Sequence, residues 1–326
     1  MTEEETKKYT KLFWGISLIP FILVAALLLL QSESVLPSVA SLDNPPELQA
    51  SLIIAKKSVK EDTVIGRFWA VNRTSVKYRE ISPYVFDALI STEDERFYSH
   101  SGVDFKGLLR SFASLGRKGG ASTITQQLAK LIYTLRQRQL AELARANGET
   151  FDLPLGGFLG KFRRLNEKAR ENIIAKRLEE RFTKEEIITM YLNQFDFLYN
   201  AVGIENASRV YFNKRPRELS KIEAAVLVGM CKNPDLFNPY KYTIKNYRNK
   251  AADRAGIAPE KVTAAQMAEI RAEDSLRALS RRNQVLFQWL KNSNEKNSGL
   301  RGSITRAEYD ELIKTPIVTD YQVVDH

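Results

Sequence analysis

The chain has 326 residues and carries 49 Lys and Arg against 39 Asp and Glu, a formal net charge of +10. Its one cysteine, Cys231, excludes a disulfide framework and a cysteine-built metal site, and two histidines, one of them the terminal His326, argue against a histidine-built metal centre. No Asp-x-Asp triplet occurs, which leaves a metal-dependent sugar-nucleotide transferase without its anchor. The positive charge calls for an anionic partner: nucleic acid, a membrane surface or a phosphorylated substrate. Two domains is the expectation for this length.

Residues 12–30 are nearly continuous apolar sequence, LFWGISLIPFILVAALLLL. As a helix they would rise about 28 Å, close to the thickness of a bilayer's hydrocarbon core. Pro20 would bend such a helix without excluding it. Lys7, Lys8 and Lys11 precede the run and put the N-terminus on the cytoplasmic side. Ser38-Val39-Ala40 resembles a signal-peptide cleavage site, but the apolar run is longer than a usual signal core, so a retained anchor is the preferred reading.

Residues 31–48 form a linker rich in Ser and Pro. Ser51–Ala55 and Val64–Val71 have the pattern of short strands. Ser82-Pro83 starts a helix, with Ser as cap and Pro in the first turn. That helix should run to about Ser91 and present Glu93 at its C-terminal end. The preceding Val85, Phe86, Ala88, Leu89 and Ile90 would partly desolvate the Glu93 carboxylate, a condition that favours a general base.

Two polar strings follow between apolar helical runs: EDERFYSHSG at 93–102 and GASTITQQLAK at 120–130. The second is rich in hydroxyls and amides, which bind a polar ligand without adding charge. A cleft lining fits both better than a surface turn does. His100 alone reads as a structural, hydrogen-bonded histidine. Between the strings, residues 105–117 form an apolar helical face with Lys106 and Arg110 snorkelling from it. Cations then dominate from Thr125 to Arg170, interrupted by a loop over 148–160 that suggests a flap over a cleft. Thr183 with Glu186, Ser220 with Glu223, and Thr305 with Glu308 mark helix starts. Ser293-Asn294-Glu295-Lys296 fits a Ser-x-x-Lys nucleophile pattern only by chance, since no partner motif follows.

The two polar strings resemble the first two signature motifs of the peptidoglycan glycosyltransferases, glycosyltransferase family 51, found in class A penicillin-binding proteins and monofunctional transglycosylases. The third motif, Arg-Lys-x-x-Glu, is matched at Lys168 and Glu171, with Glu167 reversing the charge of the first position; Arg163, Arg164 or Arg170 could replace it. The fourth is matched at Lys184, Ile187, Tyr191, Leu192 and Asn193. Thr189 stands for a family Glu and Leu198 for a Gly, both read as variation in the helical scaffold. The fifth fits at Gly203–Ala207 with Tyr211-Phe212, and CKNPDLFNP resembles the end of the catalytic domain.

The resemblance implies a mainly α, lysozyme-like glycosyltransferase domain with an N-terminal transmembrane helix. The boundaries it suggests are a cytoplasmic segment 1–11, anchor 12–30, linker or pedestal 31–74, catalytic domain 75–240, and linker 241–326 leading toward an absent transpeptidase domain. It implies polymerisation of lipid II into β-1,4 glycan strands with inversion at C1 and release of undecaprenyl pyrophosphate. Glu93 is then the base, and Lys130, Arg163 and Lys168 neutralise the pyrophosphate. Glu171 orients the donor or stabilises its oxocarbenium-like centre, and Arg110 lies among the donor phosphate or lactyl contacts. Asp94, Phe97, Ser122, Thr123, Thr125, Gln126, Gln127 and Asn193 complete the substrate-binding set. No motif demands a cofactor, although Mg or Mn could bridge pyrophosphate to carboxylates such as Asp94. The expected partners are lipid II, the growing glycan strand, the membrane and cell-wall synthesis proteins, with no nucleic acid. The expected location is the bacterial cytoplasmic membrane, single-pass, with the catalytic domain outside. A lysozyme-type glycan hydrolase and a non-catalytic membrane-anchored scaffold are the rival classes.

Overall fold

The computed structural model describes residues 4–6, 9–10, 13–19, 51–58, 61–68, 74–113, 122–135, 163–239, 244–294 and 299–322. Strands β1 (Ser51–Ser58) and β2 (Glu61–Phe68) pair antiparallel, with Ser51 opposite Phe68 and Ser58 opposite Glu61. Both expected strands are therefore present, the first extending three residues further and the second starting three residues earlier than their sequence patterns indicate. Most of the other described residues lie in helices: α1 (Pro83–Glu93), α2 (Phe105–Ala113), α3 (Ile124–Ala129), α4 (Arg163–Arg181), α5 (Lys184–Gln194), α6 (Ile204–Phe212), α7 (Lys221–Met230), α8 (Ile244–Ala255), α9 (Ala264–Ser293) and α10 (Arg306–Leu312). Residues Lys130–Leu135 continue α3 as a π-helical turn.

Local signals set many of these boundaries. Thr183 and Ser220 each accept the backbone N–H three residues on, while Glu186 and Glu223 reach back to the cap nitrogen, closing two capping boxes. Thr305 likewise accepts from the Glu308 nitrogen. Pro83 occupies the first turn of α1, but the Ser82 hydroxyl does not cap it; it donates to the Leu219 carbonyl at 2.9 Å instead.

The chain divides into two compact units. One comprises 44–100, 104–124 and 183–326. Its core is a three-helix contact of α1, α7 and α9. Helix α7 is buried from Ala224 through Met230, so it is apolar all round and sits in the middle. Phe86 and Leu89 of α1 and Val285, Leu286 and Trp289 of α9 close over it, each at most 2% exposed. Burying a side chain of this kind stabilises by roughly 1.5–3 kcal/mol. Helix α9, expected within a linker, thus contributes one face to this core.

The other unit comprises 1–43, 101–103 and 125–182. Leu128 and Tyr133 are buried in it, as are Ile174, Ala175 and Leu178 of α4. Gly102 has φ +88°, and a Cβ there would lie 2.9 Å from the Ala175 carbonyl oxygen, so only glycine allows this approach to α4. Of the expected membrane anchor, residues 13–19 are helical, and 12 and 20–30 lie outside the described residues. Among the described residues no helix is long and apolar enough to cross a membrane. The expected linker 31–48 and flap 148–160 also lie outside them.

Candidate active site

Helix α1 ends on Glu93, and its next residue, Asp94, donates its backbone N–H to the Ile90 carbonyl. The chain then turns tightly through a 3₁₀ segment, Phe97–Ser99. Asp94 organises this turn. Both of its carboxylate oxygens lie 3.0 Å from Nε2 of His100, and Oδ2 also accepts the backbone N–H of Ile124 at 2.9 Å. The two side chains of the Asp94–His100 pair are only 3% and 6% exposed. The first polar string is thereby tied to the start of the second. His100 has the structural role expected of it.

Phe97 is fully buried and edge-packed on Tyr98 and His100, so it supports the turn from inside rather than offering a face to a ligand. Lys184 stands over its ring at 4.5 Å and donates to the His100 carbonyl. Asn193 is also inward-facing. Its amide brackets residue 76, accepting the Val76 N–H at 3.2 Å and donating to the Val76 carbonyl at 2.9 Å. Both residues were expected to bind substrate, and in this structure both are occupied in holding the fold.

A recess opens beside the turn, lined by Glu93, Asp94, Glu95, Asp104, Gly107, Arg110, Ser122 and Thr123. Arg110 projects from α2 and pairs with Glu95, which also faces Lys291 at 3.7 Å. Burial pushes the Glu95 carboxyl upward, but the Arg110 hydrogen bond and charge, with Lys291 and Arg96, outweigh it and hold the group below the usual range. Glu93 has 18% of its side chain exposed and accepts a hydrogen bond from Arg281 of α9 at 3.1 Å. Arg281 was missed in the sequence. The available signal was its place on a buried stripe with Val285 and Trp289, four and eight residues on, where an arginine needs an acidic partner.

The remaining candidates lie in the other unit. Glu171 of α4 is buried, accepts from the Thr134 hydroxyl at 3.2 Å and faces Lys168 at 3.4 Å. Lys168 is held below the ordinary lysine range, chiefly by burial and further by the charges of Lys130 and Arg164, with Glu171 opposing. Thr125 donates to Glu179 at 2.6 Å and Gln126 to Asn172 at 2.7 Å, so both buried side chains fasten α3 to α4. Gln127 and Lys130 are half-buried. Glu167, the charge-reversed position, pairs with Arg164 at 3.6 Å, while Arg170 is buried. Arg163 opens α4, and its side chain lies outside the described set.

Thr189 sits in α5 and bonds the Glu185 carbonyl at 2.6 Å, as a residue of the helical scaffold should. Leu198 corrects the scaffold reading. It lies beyond α5 in a turn where Leu198, Tyr199 and Asn200 take φ of 66°, 51° and 62°. A family glycine there has a backbone reason.

The recess thus sets Glu93, at the end of α1, beside the hydroxyl side chains Ser122 and Thr123, together with three further carboxylates and Arg110. The sequence model of the family described as Transglycosylase matches residues 61–263. Penicillin-binding protein 2a of Streptococcus pneumoniae is 36% identical over 180 residues, 55% of this chain and 21% of that protein. Penicillin-binding proteins 1A of Pseudomonas aeruginosa and Escherichia coli are 33% and 35% identical over 208 and 211 residues, 63% and 64% of this chain and 22% and 21% of theirs. The chain belongs to the Transglycosylase family, and its matched stretch spans about a fifth of the length of these relatives.

Proposed function

We propose that this chain is a peptidoglycan glycosyltransferase that polymerises lipid II with inversion at the donor C1. Membership of the Transglycosylase family supports the reaction class. The observation that carries the residue assignment is Glu93, which ends α1 on the recess lined by Ser122 and Thr123.

Glu93 takes the proton of the acceptor GlcNAc C4 hydroxyl as that oxygen attacks C1 of the donor MurNAc. The C1–O bond to pyrophosphate breaks, and undecaprenyl pyrophosphate leaves with the bonding pair. A pyrophosphate leaving group needs its negative charge neutralised more than it needs a proton, the task of Lys168, Lys130 and Arg163. Glu171, which within its own unit accepts from Thr134 and faces Lys168, is assigned to orienting the donor or stabilising its oxocarbenium-like centre. Arg110 contacts donor phosphate or lactyl groups, and Ser122, Thr123 and Gln127 meet sugar hydroxyls and amides. Asp94, Phe97, Thr125, Gln126 and Asn193 hold these groups in place. The lysozyme-like organisation of the domain, the single-pass anchor at 12–30 and a place in the bacterial cytoplasmic membrane with the catalytic domain outside belong to the same proposal.

The test is polymerisation of labelled lipid II in detergent by the parent and by Glu93→Gln. Polymer from the parent and almost none from the variant is the expected result. A glycan hydrolase would instead cut finished strands and leave lipid II unpolymerised, and a scaffold would neither cut strands nor polymerise lipid II.

A further inference from the structure

We propose that Arg281 is a positioning residue for Glu93, so that the working site includes helix α9, beyond the family match over 61–263. The inference rests on the reading of Glu93 as the base.

Arg281 is 6% exposed, and a cation that deep in the protein must be paired and hydrogen-bonded. Three of its nitrogens are directed to three different elements of the same unit. Nε donates to the Gly229 carbonyl at 3.3 Å, one terminal nitrogen to Gln284 Oε1 at 2.8 Å, and the other to Glu93 Oε1 at 3.1 Å. The guanidinium also lies over the Phe237 ring at 5.7 Å. A Cβ at Gly229 would come within 3.2 Å of Arg281 Cγ, so the stem is seated closely on α7. Planar and pre-organised by α7 and by Gln284, the arginine fixes where the Glu93 carboxylate stands from its buried side. That carboxylate meanwhile borders the recess. A base must meet its proton within hydrogen-bond reach, and a displacement of about 1 Å can cost about a hundredfold in rate.

The experiment measures kcat and KM for lipid II polymerisation by the full chain and by Arg281→Ala, Arg281→Lys and Gln284→Ala, with thermal melts of each. Arg281→Ala should lower kcat by about a hundredfold with KM changed less than about threefold, because the group acts through the base and not on the bound substrate. Arg281→Lys, which keeps the charge but not the fork, should recover part of the lost kcat. Gln284→Ala, which removes one anchor of the guanidinium and leaves Glu93 untouched, should lower kcat several-fold at an unchanged KM. A kcat equal to the parent's in folded Arg281→Ala would overturn the proposal, as would a raised KM at constant kcat, which would make Arg281 a substrate contact. If Arg281→Ala does not fold, Gln284→Ala decides, and a parental kcat there overturns it. A parent that polymerises lipid II equally well as Glu93→Gln would instead sink the assignment of the base on which this inference rests.

Discussion

Asp94 and Ile124 stand 30 positions apart in the chain, yet the carboxylate of the first accepts the backbone N–H of the second at 2.9 Å. The same carboxylate holds His100, so one buried side chain joins the end of α1, the 3₁₀ turn and the start of α3. The recess beside Glu93 takes its shape from that junction. Replacing Asp94 with Ala leaves the Ile124 amide and the His100 imidazole buried without this acceptor, which should cost about 2–3 kcal/mol. Chemical denaturation measures it directly. A parental midpoint for Asp94→Ala would show that the junction forms without the carboxylate.

Asp87, on the same helix, gives a pH-dependent effect. It is 1% exposed and accepts the N–H groups of Arg301 and Gly302 at 2.9 and 2.6 Å. Burial pushes its carboxyl up to about 6, against the lowering effects of those N–H groups and of the Arg301 and Lys221 charges. Its folded value lies above its unfolded one, so folding binds a proton between them. The stabilisation is complete below about pH 4 and is lost as pH rises to about 6, at up to about 1.4 kcal/mol per pH unit. Asn at this position does not titrate. The stability difference between parent and Asp87→Asn should therefore shift against the parent from pH 4 to 6 and level off above. A difference that is constant over that range would refute the assignment.

The features legible in the sequence are those decided within a few residues. Thr183–Glu186 and Ser220–Glu223 are boxes closed between a cap and its third helical residue, and both form as expected. The helix that presents Glu93 is similarly local, since Pro83 sets its start and an apolar run carries it to the glutamate. What escaped was decided by packing. The Arg281–Glu93 contact spans 188 positions and the Asn193 clamp on Val76 spans 117. Phe97 and Asn193 lie within recognisable motifs, but a motif does not tell which of its members face inward. The three left-handed residues at 198–200 were hidden for the opposite reason: Leu and Tyr are among the last residues one would expect there.

Lys168 offers a test of the charge-neutralising step. Its ammonium is held below the ordinary lysine range by burial and by neighbouring cations. If it works as a cation on pyrophosphate, activity falls as rising pH removes its proton. The alkaline limb of the rate profile should then lie below about 10.4, the value of an unperturbed lysine. Lys168→Arg, charged throughout that range, should retain measurable rate and move the limb upward. Lys168→Met, which has no charge, should lose about a hundredfold or more in kcat. An alkaline limb that stays put in Lys168→Arg would mean that another group titrates there.

The turn after α5 carries the last prediction. Leu198, Tyr199 and Asn200 all have positive φ, and hydrogen bonds keep the turn closed: Ala201 N–H to the Leu198 carbonyl at 2.9 Å, Phe197 N–H to the Ala201 carbonyl at 3.0 Å, and Leu198 N–H to Asp196 Oδ1 at 2.8 Å. Asparagine tolerates this region, whereas a leucine there costs about 1–2 kcal/mol because its Cβ crowds the following carbonyl. Leu198→Gly removes that crowding. Against the gain stands the larger freedom of glycine in the unfolded chain, about 0.5–1 kcal/mol. Leu198 is half-exposed, so little buried apolar surface is lost. The balance favours the variant by up to about 1 kcal/mol, read as a higher denaturation midpoint with no change in slope. Leu198→Pro, which locks φ near −65°, should destabilise by about 3 kcal/mol or more. Were Leu198→Gly instead clearly less stable than the parent, the leucine side chain's packing would outweigh its backbone strain, and that packing would be why this chain departs from glycine.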